Sequence, residues 1–209
     1  MPLGQFLSSR DRYEEAEVVF QDGYARLQSK PAAPPEWAGG LARELAGLYR
    51  RWGKLERAEE WGGKALAMFR KQCGDDHEAT ACLAHSLAFD LMRNPGREAE
   101  AEQLYREALQ LRRRILGEGN HATADTAFRL AEALGAQRKF DEAETLLREA
   151  HAALAANRAS DPAREFEPVL LQWIIQQYRA WGQLERAAEW ERRRSAKEEE
   201  KKKLEPESK

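Results

Sequence analysis

Cysteine is scarce in this sequence, with only Cys73 and Cys82. Two are too few for a disulfide framework, and both are expected to stay reduced. No apolar run approaches the ~20 residues of a membrane span. The first residues also lack the basic region, apolar stretch and cleavage site of a secretory leader, so a cytoplasmic address is expected. Neither sign of charge is in excess: 34 Lys and Arg stand against 36 Asp and Glu, a net charge of −2. That balance excludes bulk attraction to nucleic acid or to an acidic membrane surface. There is no glycine-rich phosphate loop, no HRD, no DFG, and no hydrolase or dinucleotide motif, so neither catalysis nor a cofactor is expected.

What is present is repetition. LYRRWGKLERAEEW, Leu48 to Trp61, returns as QYRAWGQLERAAEW, Gln177 to Trp190, with ten of fourteen positions identical at an offset of 129. A fixed offset of this kind marks a repeat architecture, and three repeats of 43 fit into it. The period is carried by Ala16, Ala58, Ala101, Ala143 and Ala187, spaced 42, 43, 42 and 44 residues apart. The turn Asn94-Pro95-Gly96 is one residue longer than its counterparts Trp52-Gly53 and Gln137-Arg138, which accounts for the 43.

Each period reads as two helices. Ala42, Leu45, Ala46 and Tyr49 lie at i, i+3, i+4 and i+7, which is one helix face. The face recurs as Ala84, Leu87, Ala88, Leu91; as Ala127, Leu130, Ala131, Leu134; and as Leu171, Ile174, Ile175, Tyr178. After a turn, a second helix presents Ala58, Gly62, Ala65, then Ala101, Tyr105, Ala108, then Ala143, Leu147, Ala150. Small residues at the ends of these sets let two helix axes come close, so each period is an antiparallel hairpin that stacks on the next. Gly74 and Gly117 are expected as C-terminal caps, with Asp76 and Asn120 as the following N-caps. Ser160 and Asp161 before Pro162 read as a cap and a first-turn proline, and Pro34 or Pro35 in SKPAAPPE reads as another first-turn proline.

The segment LGEGNHATADTAFRLAEALGAQRKFDEAETLLREA, from Leu116, resembles a tetratricopeptide repeat of the 42-residue kind found in kinesin light chains, and the resemblance covers nearly the whole chain. YRRWGKLERAEEW and YRAWGQLERAAEW are also similar to the closing repeats of C-terminal arrays in bacterial serine/threonine protein kinases. The resemblance implies an all-α fold, a right-handed α-solenoid of tandem tetratricopeptide hairpins. Its expected repeats span about 1–30 (incomplete), 34–74, 76–117, 120–158 and 162–195, followed by a charged, frayed or disordered tail over 196–209. The expected function is a non-catalytic scaffold that binds a protein or peptide segment on the concave surface. The alternatives are a regulatory repeat segment of a signalling enzyme such as a kinase, or an enzyme with an unfamiliar site.

The first helices line the inner surface of such a stack. The seam assignments place Arg43, Gly47 and Arg50; His85, Phe89 and Met92; Phe128, Glu132 and Gly135; and Gln172, Gln176 and Arg179 on that inner stripe. Within it Arg43, Arg50, His85, Phe89, Met92, Phe128, Gln172, Gln176 and Arg179 are the candidate groove residues. They suit a segment with an apolar anchor near Phe89 and Phe128 and acidic flanks near Arg50 and Arg179. The second reading of Phe89 and Phe128 is that they cover gaps between hairpins. Kinesin light chains carry paired asparagines in the first helix, where this sequence has Arg43-Glu44, His85-Ser86, Phe128-Arg129 and Gln172-Trp173.

Two further clusters have ordinary readings. Cys73, His77, Cys82 and His85 fall within thirteen residues, but HEATA lacks the second histidine of a metalloprotease helix, and the homologous loop GEGNHAT has no cysteine. No metal is expected. Trp52, Trp61, Trp181 and Trp190 recur with the duplicated motif and read as packing. At the ends, Ala187, Glu191 and Arg194 make a charged cap. The apolar Phe6, Leu7, Tyr13 and Phe20 are expected either to continue an array in a longer parent chain or to pair as a homodimer through residues 1–28.

Overall fold

The computed structural model describes residues 3–30, 35–157 and 161–204. Among these there is no strand, and the helices are α1 (Leu3–Ser9), α2 (Tyr13–Gln28), α3 (Pro35–Trp52), α4 (Leu55–Cys73), α5 (Glu78–Leu91), α6 (Glu98–Leu116), α7 (His121–Ala136), α8 (Phe140–Ala156), α9 (Asp161–Ala180) and α10 (Leu184–Leu204). Contacts divide the chain into two units, one running to Ile115 and one starting at Leu116. Pro35 opens α3. Pro34 and the Ser160 cap lie outside the described residues, as do residues 205–209 of the tail. Residues 196–204 continue α10.

The hairpins are built on one turn used four times. The chain leaves the first helix through a residue with positive φ: Asp11 (59°), Gly53 (77°), Arg138 (64°) and Gly182 (72°). The next amide then reaches back five residues, from Arg12 to Leu7 (3.0 Å), Lys54 to Tyr49 (2.9 Å), Lys139 to Leu134 (2.9 Å) and Gln183 to Tyr178 (2.8 Å). This is the Schellman closure, which satisfies a carbonyl that the helix end would leave open. The same four residues begin the second helices: their carbonyls accept from Ala16, Ala58, Ala143 and Ala187 at 3.0–3.1 Å. Arg12, Lys54 and Lys139 make no side-chain cap bond, because ammonium and guanidinium groups have no acceptor. The repeating alanine is therefore fixed in register by the turn, and it is fully or almost fully buried in all five copies.

The seam follows. In the first unit Ala42, Leu45, Ala46 and Tyr49 of α3 are at most 3% exposed, and Leu7, Phe20, Leu48 and Ala58 cluster with Leu45 and Tyr49. A second cluster joins Ala65 and Leu66 of α4 to Leu83 and Ala84 of α5 and Ala108 of α6. Gly62 lets the Leu87 side chain approach to 3.2 Å of where a Cβ would stand. In the second unit Leu130, Ala131 and Leu134 of α7 meet the same depth as Ala143 and Leu147 of α8, and Leu171, Ile174, Ile175 and Tyr178 of α9 are equally buried. A Cβ on Gly135 would overlap the Trp181 indole, so glycine is required there by close approach. The duplicated tryptophans are packing residues. Trp52 stacks between Tyr13 and Tyr49, Trp61 meets Tyr24 edge-on, Trp181 sits between Phe140 and Tyr178, and Trp190 is 1% exposed.

The residue after the repeating alanine ties one hairpin to its neighbour. Glu17 accepts from the Tyr49 hydroxyl and from Arg57, both at 2.6 Å. Glu59 accepts from Arg97 at 3.1 Å and from Asn94. Glu144 pairs with Arg148 at 2.8 Å and with Arg186. Burial, and after it the Glu144 carboxylate, push the Tyr178 phenol up to about 12; burial and the bond to Glu17 also raise Tyr49.

The loop before α5 differs from the sequence expectation. Asn120 is the N-cap of α7, its Oδ1 accepting the Ala122 amide at 2.8 Å. Asp76 is not the N-cap of α5. His77 is, with Nδ1 accepting from Ala79 N–H at 3.1 Å, while exposed Asp76 pairs with Arg114. The shared Ala-Thr of HEAT and NHAT sets the register, so His77 and Asn120 are equivalent. Gly74 and Gly117 do carry positive φ, 79° and 85°.

Two outcomes follow from this geometry. Arg138 is a non-glycine residue in the left-handed region, so Arg138→Gly should relieve roughly 1–2 kcal/mol of backbone cost against a chain-entropy loss of about 0.5–1 kcal/mol. Thermal melting should show a net gain of about 2 °C. Tyr178 favours its neutral form in the fold, so its contribution is complete below the unfolded value near 10 and is lost as pH rises to about 12. Denaturant melts between those limits should show falling stability, less steeply in Tyr178→Phe.

Candidate peptide-binding face

The candidate groove residues of the first unit lie on α3 and α5. Arg43 is exposed and approaches the adjacent Glu44 at 3.6 Å. Arg50 is occupied. Its guanidinium forks onto Asp90 of α5, Nε to Oδ1 at 2.5 Å and Nη2 to Oδ2 at 2.8 Å, and Asp90 is fully buried. His85, Phe89 and Met92 are half-buried along α5 and at its C-cap, with the His85 ring edge-on to Tyr105 at 5.3 Å. Arg50 therefore cannot serve a ligand without giving up the ion pair that the buried Asp90 carboxylate makes among the described residues.

A cleft of about 300 Å³ opens beside them, walled by Arg43 of α3, Phe69 of α4 and the start of α5. His77, Glu78, Cys82 and Leu83 line the α5 side. Because His77 Nδ1 is an acceptor, its proton sits on Nε2, which is left as a donor. Cys73 and Cys82 are both free and exposed, but only Cys82 lines this cleft. Among the described residues no three His, Cys, Asp or Glu converge to hold a metal ion, and no helix is long and apolar enough to cross a membrane.

In the second unit the sequence-derived residues are placed less openly. Phe128 is 3% exposed, packed at 4.9 Å against half-buried Trp173, which also meets Phe166 edge-on at 5.5 Å. The Arg129 guanidinium lies 5.1 Å from the Trp173 ring centre and bonds Glu132 at 2.7 Å. Burial holds the Glu132 carboxyl above the usual carboxylate range against the pull of Arg129. Gln172 accepts from Arg194, and exposed Arg179 pairs with Glu191; Gln176 is exposed. The surface aromatic of this cluster is thus Trp173, with Phe128 as its support. Sequence reasoning missed Trp173, Glu78 and Asp90. For Asp90 a signal existed: a carboxylate inside the apolar run LAFDLM requires a cationic partner.

Two family models described as Tetratricopeptide repeat match residues 41–79 and 80–156, together more than half of the chain. The chain is a tetratricopeptide repeat protein. Among solved structures it is similar to BtubC (BKLC) from P. vanneervenii, at 22% identity and TM-score 0.79, covering 99% of this chain and 81% of that one. It is also similar to a kinesin light chain repeat protein of Podosopora anserina, at 22% identity and TM-score 0.77, covering 93% and 90%. At such identities the likeness shows the fold, an α-solenoid of tetratricopeptide hairpins. No curated protein matched the chain. A tetratricopeptide array is a protein–protein interaction scaffold.

The Arg50–Asp90 pair gives a measurable expectation. Arg50→Met should lower unfolding free energy by about 3–5 kcal/mol, since it leaves the fully buried Asp90 carboxylate without its counter-charge, whereas Arg50→Met combined with Asp90→Leu should be close to neutral. Chemical denaturation of the three proteins checks both.

Proposed function

We propose that this tetratricopeptide repeat protein is a non-catalytic scaffold that binds an extended partner segment on the faces of its first helices. In the first unit the bound segment lies across α3 and α5. The observation that carries this reading is the row His85, Phe89 and Met92, half-exposed apolar or aromatic side chains on one helix, bordered by the exposed cation Arg43. An apolar anchor seats on Phe89, and an acidic neighbour meets Arg43. In the second unit Trp173 is the contact surface. Arg50 and Arg179 act through their ion pairs with Asp90 and Glu191 rather than as open charges.

The reading distinguishes the two phenylalanines. Phe89→Ala should weaken binding of peptides selected from an immobilised array by about tenfold, the effect of a contact residue worth more than 1 kcal/mol. Phe128→Ala should instead cost about 3–5 kcal/mol of stability, as buried aromatic truncations do. Peptide binding by Phe89→Ala at wild-type affinity would remove the proposal's support.

A further inference from the structure

The cleft of the first unit is lined by two exposed charges of opposite sign. Arg43, on α3, is 58% exposed, and its one ion pair among the described residues is the 3.6 Å approach to its sequence neighbour Glu44. Glu78, in the first turn of α5, is exposed. It makes no hydrogen bond or ion pair among the described residues. Both line the same cleft, with Phe69 and Leu83 supplying its apolar surface. Leu83 is 5% exposed and Phe69 is partly buried against the core beneath. The volume of about 300 Å³ is at the small end for ligand pockets, so it suits one large side chain and not a larger molecule.

We propose that this cleft selects partner segments in which one large apolar side chain is flanked by an acidic residue on one side and a basic residue on the other. The acid meets Arg43 and the base meets Glu78. This rests on the peptide-binding reading above and adds to it a second apolar seat, on Phe69 and Leu83 rather than Phe89, and a charge order. The two walls belong to different helices, so for a segment that crosses the cleft in one direction only one order places both charges against their opposites. A segment with the reversed order sets like charges against each other on both walls, and a segment acidic on both sides sets one carboxylate against Glu78. Such mismatches discriminate even where each matched pair contributes little.

The test uses the full chain and labelled peptides on one serine-glycine frame with a central phenylalanine, flanked acid-then-base, base-then-acid, acid on both sides or base on both sides. Anisotropy titrations should show one mixed order binding tightest, by about fivefold over the other mixed order, the upper range for exposed pairs. Exchanging the charges with Arg43→Glu and Glu78→Arg together should invert that preference. Neither side chain is part of the core, so folding is not at stake. The preferred peptide should also slow maleimide labelling of Cys82 and leave Cys73 unaffected. Equal affinity for the two orders, a double exchange that abolishes preference without inverting it, or unslowed Cys82 labelling would each overturn the charge-order proposal while the scaffold reading stands. Failure of every peptide, in this panel and in the array that tests Phe89, would overturn the scaffold reading itself.

Discussion

A single hydrogen bond, from the amide after a left-handed residue back to a carbonyl five positions earlier, governs the arrangement of this protein. It stops the first helix, reverses the chain within two residues, and makes its donor residue the start of the second helix. With no slack in the turn, the repeating alanine falls at a fixed height opposite the first-helix seam. The acceptor residue, Leu7, Tyr49, Leu134 or Tyr178, is buried for the same reason: its carbonyl must face the turn while its side chain faces the neighbouring hairpin. The glutamate after the alanine is then delivered to the flank, where it meets the next hairpin's arginine or tyrosine.

This explains why hairpins of differing sequence keep one geometry. Main-chain bonding sets the register, and side chains are free to vary as long as they fill the space that register leaves. Gly62 and Leu147 occupy equivalent places in α4 and α8, one accepting a leucine from the next helix and the other filling the space itself. Gly135 and Trp181 show the reverse exchange, a missing side chain on one helix matched by an indole on another.

The hairpin architecture was legible in the sequence because burial repeats at helical spacing. Nearly all the seam residues named from periodicity are buried, and the glycines at helix ends have the φ values their positions suggested. The α5 cap departs from expectation because the two loops share Ala-Thr rather than histidine as their register, so the main chain places His77, not Asp76, opposite Asn120. The candidate face was less legible. Whether a side chain at an inner position is open depends on what the adjacent helix places beside it, and periodicity within one helix does not contain that. Asp90 on the adjacent helix takes up the Arg50 charge, and Trp173 packs over Phe128.

The turn between α5 and α6 stands apart from the other four. Its extra residue removes the five-residue backbone closure, leaving shorter-range main-chain bonds such as Asn94 to Leu91 (3.0 Å) and Arg97 to Asn94 (3.3 Å), to which side chains add. Glu98 accepts the Gly96 amide at 3.1 Å, Arg97 bridges Glu59 and Glu100, and Asn94 reaches Glu59. At high ionic strength, where the screening length falls to about 3 Å, exposed partnerships of this kind weaken while amide-to-carbonyl bonds are little affected. Because this turn lacks the five-residue closure, raised ionic strength loosens the third hairpin more than the four that have it.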